Sequence, residues 1–208
     1  MSNPSRELLL AEALDLLSIA IFIIGPDHEV AWLNQRGRSL VESRDGMSLI
    51  NKRLRGDTTT QSREIDDVLD RTTLRQLPPS AGRLALARSI TRRSGGRPLQ
   101  LVATAVRDAN SDKISPDRFA ILLVGECDSH RLAHPELLGL LFGLTPTEAR
   151  IAAEVANGQS LDEVARDLKL GIGTVRWHVK RIMSRTDTRR QAELVRMILL
   201  SPMSFLAA

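Results

Sequence analysis

The chain has 208 residues, 42% of them apolar, with a formal net charge of +4 and a pI near 9.9, which allows one large or two small domains with a real core. Cys127 is its only cysteine, which excludes an intrachain disulfide and fits a reducing compartment. No run approaches the roughly 20 apolar residues that span a bilayer, and the short apolar run 16–25 follows Glu7, Glu12 and Asp15, so neither a membrane segment nor a secretion signal is read and a cytoplasmic protein is expected.

In chain order, Leu8 to Leu17 has the apolar spacing of a helix. Ala20 to Ile24 is a β-branched run, Gly25-Pro26-Asp27-His28 supplies a turn, and Val30 to Leu33 resumes as a strand, so a hairpin is predicted. Histidine 28 is read as a solvated turn residue. Asn34 opens a short helix to Glu42, and a polar stretch follows. An amphipathic helix over 62–74 uses Ile65, Val68, Leu69 and Leu74, and ends before Pro78 and Pro79. Strands are predicted near 84–91, 98–107 and 118–124, joined by a Ser94-Gly95-Gly96 turn and a polar loop over 108–116. Phe22, Trp32 and Phe119 are assigned to the core, and the adjacent acids Asp66 and Asp67 to solvent. The order implies an antiparallel five-stranded sheet with helices on one face.

Residues 129–136 form a polar junction, with His130 and His134 four apart but no nearby third ligand for a metal. Leu137 to Phe142 then resumes as a helical run. Beyond it, helices are predicted near 146–157, 161–168, 173–185 and 189–200. Thr145 with Pro146 and Glu148, Ser160 with Glu163, and Thr188 with Gln191 have the spacing of N-terminal caps. Gly158 and Gly171 stand where the first two of these helices end. In the third, Val175, Val179, Ile182 and Met183 recur at core spacing. Arg176, Trp177, Lys180 and Ser184 form the opposite stripe, flanked by Arg181 and Arg185. Arg176 and Lys180 are like charges four apart, and an indole beside them adds apolar area in water. Both choices fit a face that meets a polyanion with methyl-bearing or stackable bases. Arg176, Lys180, Arg181, Arg185, Arg189 and Arg190 lie within fifteen residues, opposed there only by Asp187, which favours phosphate contact through counterion release.

This last third of the chain resembles the C-terminal DNA-binding domain of LuxR-type transcription regulators. The resemblance rests on Leu144, Thr145, Glu148, Gly158, Ala165, Leu168, Thr174, Val175, His178 and Lys180, and on the Ala192-Glu193-Leu194-Val195 run. It implies a third helix in the major groove and a fourth that supports a homodimer. Carried over by position, Arg176, Trp177 and Lys180 approach base edges and nearby phosphates, and Thr174, Arg181 and Arg189 are backbone-contact candidates. Two positions depart from the pattern: Gly171 replaces a Ser or Thr cap, and Trp177 a smaller residue. The first 128 residues resemble a PAS-like sensor domain, a class that binds small molecules or proteins. With no tyrosine in the chain, an acyl-homoserine-lactone pocket of the quorum-sensor kind is not expected.

There is no glycine-rich phosphate loop, nucleophile elbow or H-E-x-x-H pair, so no enzyme and no cofactor or metal is indicated. The fold class expected is α+β: a PAS-like antiparallel sheet with helices over 1–128, a linker over 129–136, and an all-α four-helix helix-turn-helix domain over 137–208. The expected function is a cytoplasmic, sequence-specific transcription regulator that binds double-stranded DNA as a homodimer and senses a small molecule or protein partner. A sigma-type polymerase subunit and a protein-binding sensor without DNA contact are the alternatives.

Overall fold

The structure, a computed structural model, describes residues 5–73, 86–106, 119–126 and 133–205. The chain divides into two compact units, the first running to residue 129 and the second from residue 130. Leu74, Pro78, Pro79, Cys127, His130 and the 108–116 loop lie outside the described residues. No described helix is long and apolar enough to cross a membrane.

The first unit runs α1 (Arg6–Asp15), β1 (Ala20–Ile24), β2 (Val30–Leu33), α2 (Gln35–Ser43), β3 (Met47–Ile50), β4 (Arg53–Gly56), α3 (Thr59–Thr73), β5 (Leu86–Ile90), β6 (Leu99–Ala105) and β7 (Ala120–Gly125). Five strands form one sheet in the order β2-β1-β7-β6-β5, every neighbouring pair antiparallel. Alternate residues point to one face, so Ala20, Phe22 and Ile24 of β1, Leu99, Leu101 and Ala103 of β6, and Ala120, Leu122 and Val124 of β7 pack together. Leu40 and Val41 of α2 and Ile65, Val68 and Leu69 of α3 close over them. This is the α+β layout, an antiparallel five-stranded sheet with helices, that the order of elements implied. Phe22 is fully buried, whereas Trp32 and Phe119 are half-buried. By contrast α1 buries no residue, and Leu8, Leu9 and Leu10 are each more than half exposed.

One side chain ties α1 to the sheet and to α2. Asn34 is completely buried, and its Oδ1 accepts from the backbone N–H of Ile21 and Gly37, both at 2.9 Å. Its Nδ2 donates to the carbonyls of Leu14 (3.0 Å) and Ile19 (2.9 Å). It is therefore the N-cap of α2 and a long-range clamp at once. Asp15 joins it, pairing with Arg38 at 3.2 Å and accepting from the Gln35 N–H.

Three features depart from the sequence reading. The polar stretch after α2 contains the β3–β4 hairpin, whose register runs Met47↔Gly56 to Ile50↔Arg53. Its two-residue turn places Asn51 and Lys52 at positive φ, 49° and 61°, the geometry of a hairpin turn usually signalled by Asn-Gly. His28 is not solvated: its side chain is 15% exposed, with Nδ1 3.5 Å from Asp66 and Nε2 3.2 Å from Asp70. Nor is Asp66 left to solvent, because Arg55 reaches it at 3.0 Å.

A second polar web holds the opposite edge. Asp45 accepts from the backbone N–H and hydroxyl of Ser94 at 2.8 and 2.7 Å and from Arg92 Nε at 2.7 Å. The Ser94 bonds, helped by Arg92 against the opposing effect of burial, hold its carboxyl at about 2. Arg92 also reaches Glu126 at 3.7 Å, and Arg36 pairs with the same carboxylate at 2.7 Å.

Gly56 closes β4 against α3 with no room to spare. A Cβ there would lie 2.4 Å from Gln61 Cβ and 3.2 Å from its backbone carbon. Gly56→Ala should therefore destabilise the first unit by about 2 kcal/mol through overpacking. Urea unfolding of the full chain followed by Trp32 fluorescence, with Trp177 replaced by Phe, would measure it; an unchanged midpoint would show that α3 yields freely.

The second unit contains α4 (Pro135–Phe142), α5 (Pro146–Ala156), α6 (Leu161–Asp167), α7 (Ile172–Arg185) and α8 (Gln191–Leu199), followed by a 3₁₀ turn, Pro202–Phe205. Its core joins Leu138, Ile151, Ala152, Val155, Val164, Val175, Val179, Ile182, Leu194 and Ile198. Alanines at 149, 152, 153 and 156 give α5 a buried face of small side chains, against which neighbouring helices can approach closely.

Candidate nucleic-acid interface

Two of the three predicted caps are formed. Thr145 Oγ1 accepts from the Glu148 N–H at 3.4 Å, while Glu148 Oε2 accepts from the Thr145 N–H and hydroxyl, both at 2.9 Å. Ser160 and Glu163 repeat the arrangement at 3.3, 2.8 and 2.7 Å. The third is absent. Arg190 is the N-cap of α8, with no side-chain cap, and Glu193 instead accepts from the Arg189 N–H at 2.8 Å. Thr188 faces the Thr186 hydroxyl at 3.0 Å. The helix thus begins at Gln191 because a glutamate, not a threonine, satisfies the entering backbone.

The α6–α7 connection makes a helix-turn-helix. Leu168 caps α6, Lys169 takes a left-handed φ of 54°, and the Leu170 N–H returns to the Ala165 carbonyl at 2.9 Å. Gly171 therefore does not end α6. It is the N-cap of α7 in extended conformation, with no side chain capping the first turn and no acid within it. A Cβ at Gly173 would meet nothing within 4 Å, so this positive helix end is open to an approaching anion.

Along α7, Val175, Val179 and Ile182 are buried and Met183 is partly so. Thr174, Arg176, Trp177, Lys180 and Arg181 are all exposed, as is Arg189 beyond the helix. The indole of Trp177 is 52% exposed. Arg181 Cζ stands 4.8 Å from its ring centroid, and His178 meets it edge-on at 4.9 Å. Arg181 and Arg185 are also turned toward α5: their Nε atoms lie 3.2 and 3.8 Å from the carboxylate of Glu148, which is 1% exposed. Arg185 donates further to the Gly143 carbonyl. Burial alone would push the Glu148 carboxyl up, but the bonds from Thr145 and the charges of Arg185 and Arg181 outweigh it and hold the group below the usual carboxylate range. Among the described residues Arg176 and Lys180 form no ion pair. Five of the predicted residues are thus exposed along α7 and Arg189 is exposed beyond it, and sequence reasoning missed the anchor beneath Arg181. The cue was a capping glutamate that has more oxygen lone pairs than the cap uses.

Sequence comparison adds a family match within the C-terminal unit. Residues 143–198 match the model for bacterial regulatory proteins of the luxR family. The C-terminal unit carries a luxR-family regulatory domain. No curated protein matches the chain. The chain is similar to the phage VqmA–DPO complex, at 15% identity over 97% of this chain and 89% of that one, with a TM-score of 0.40. It is also similar to the Vibrio cholerae VqmA–ligand–DNA complex, at 14% identity over 99% and 92%, with a TM-score of 0.39. A Rhodobacter sphaeroides LOV protein shares 13% identity over 96% and 95%, with a TM-score of 0.33.

The outer face of α8 carries a separate feature. Leu194 and Ile198 are buried in the core. Val195 and Leu199, with Ala192, Leu200, Gln191 and Arg196, line an open cleft.

Proposed function

We propose that this chain is a sequence-specific transcription regulator that binds double-stranded DNA. Residues 137–208 are the reading domain, 129–136 the linker, and 1–128 a sensor for a small molecule or a protein partner. One observation carries the reading: α7 buries its valines and isoleucine while Arg176, Trp177 and Lys180 stand exposed on the other side. That face costs a monomer in water something and returns nothing until it meets a polyanion. Arg176, Trp177 and Lys180 approach base edges and nearby phosphates in the major groove, Lys180 through the phosphates, and Thr174 and Arg189 flank them where the phosphate backbone runs, with Arg181 stacked beside Trp177. The uncapped first turn of α7 offers further N–H donors to a phosphate. The apolar cleft of α8 pairs two copies, so that two recognition helices enter successive major grooves about one turn of DNA apart.

The test is selection from a random duplex library by the full chain, followed by titration of the selected duplex over a range of salt. Arg176→Ala and Trp177→Ala should each lose about 1–3 kcal/mol on the selected duplex and relax sequence choice. Lys180→Ala and Arg189→Ala should weaken all duplexes alike and reduce the salt slope by about one. Equal effects of all four variants on random DNA would overturn the assignment.

A further inference from the structure

The guanidinium of Arg181 is engaged on two sides before any DNA arrives, by a carboxylate and by an indole. Its Nε lies 3.2 Å from the Glu148 carboxylate, and its Cζ lies 4.8 Å from the Trp177 ring centroid. The carboxylate does not move to suit it, because Glu148 is 1% exposed and accepts two bonds of 2.9 Å from Thr145. The chain of contacts therefore runs from the start of α5, through a buried acid and a flat cation, to an exposed indole on α7. Imidazole 178 meets the same indole edge-on, at an interplanar angle of 76°. An exposed tryptophan on a bare helix would sample several staggered rotamers. Here one face is backed by a guanidinium that is itself anchored 33 positions away in sequence (181 − 148).

Resting on the reading of α7 as the DNA-facing helix, we infer that Arg181 is a positioning residue: it holds the Trp177 indole rigid for a thymine 5-methyl group in the major groove and does not itself neutralise a phosphate. The charge argument is direct. Glu148 lies nearer to Arg181 than to Arg185, 3.2 against 3.8 Å, and offsets part of its charge, so Arg181 has less left for counterion release than Arg176 and Lys180. The ligand follows from the chemistry of the held group. An indole offers a broad apolar face and a single donor, and the only apolar feature that a base pair presents in the major groove is the thymine methyl. A guanidinium fits this role better than an ammonium, being planar and able to stack and donate in its own plane together.

The experiment uses the full chain with Trp32→Phe, so that Trp177 is the only tryptophan, and the duplex that this chain selects from a random library. Each thymine of that duplex is replaced in turn by deoxyuridine, which removes only the methyl. We expect one replacement to weaken binding at least threefold in the parent. In Arg181→Gln and in Trp177→Ala that preference should shrink to near one, with the salt slope of Arg181→Gln unchanged. In the free protein, acrylamide should quench Trp177 more readily in Arg181→Gln than in the parent, a readout that a phosphate contact would not move. A salt slope lowered by about one with the methyl preference intact would make Arg181 a phosphate contact and overturn the inference. Selection of no duplex at all would instead bring down the DNA reading on which it stands. Retained binding to random DNA by Arg181→Gln shows that the variant is folded.

Discussion

Asn34→Ala should destabilise the first unit by about 3–5 kcal/mol, a large share of the stability of a domain this size. The variant removes one buried amide and strands three backbone groups, the N–H of Ile21 and Gly37 and the carbonyl of Ile19, while the Leu14 carbonyl keeps the Leu17 N–H at 3.2 Å. Each buried polar group left without a partner costs about 1–3 kcal/mol. Relaxation of the α1 end, which water can reach, should relieve part of that total. Asn34→Asp is the informative companion, because it keeps both acceptor bonds and the cap but turns two donors into acceptors facing carbonyls. It should recover the α2 start and still lose α1. Urea unfolding followed at Trp32 checks the first effect, and proteolysis near residue 16 checks the second. A loss below about 1 kcal/mol would mean that the clamp is a surface cap and nothing more.

Glu148→Ala should lower the stability of the second unit by about 2–3 kcal/mol, combining a lost cap with lost charge-assisted bonds. The figure is kept below that of a fully buried ion pair because the Arg181 and Arg185 side chains are 44% and 39% exposed and can return to water. Titration gives a sharper test. The folded-state carboxyl lies below its ordinary value, so the unfolded chain binds the proton more readily. The contribution is complete above about pH 4.3, the unfolded value, and is lost as pH falls through the lower folded value. Urea midpoints at Trp177, measured from pH 7 to pH 3 with Trp32 replaced by Phe, should therefore fall less in Glu148→Gln than in the parent over the acid limb. Parallel curves for the two would show that the group titrates alike in both states.

What could be read before the structure was known was local. The Thr145–Glu148 and Ser160–Glu163 boxes are reciprocal contacts three residues apart, so spacing alone exposes them. The inward valines of α7 follow from periodicity in the same way, and the strands β1 and β2 from their β-branched runs. The failures share a different cause. The β3–β4 hairpin was hidden because Lys52 stands at positive φ where a glycine would have marked the turn. Thr188 resembles a cap, yet Glu193 takes that function from the other side. His28 sits in a turn sequence that reads as solvated, and only tertiary packing brings Asp66 and Asp70 of α3 against its ring. Spacing could likewise place Arg181 on the outer side of α7 but not reveal the carboxylate beneath it.

The carboxylate of Glu126 has a consequence for how change within the first unit could leave it. Glu126 follows directly on β7 and is gripped by Arg36 at the start of α2 and by Arg92 beyond β5. Its side chain is 11% exposed, and those of Arg36 and Arg92 are 20% and 14%. Separating the two cations would leave a sheltered negative charge half-matched, an intermediate that the low-dielectric surroundings penalise. Motion at this exit from the sheet should therefore go as a latch goes, held or released with little between.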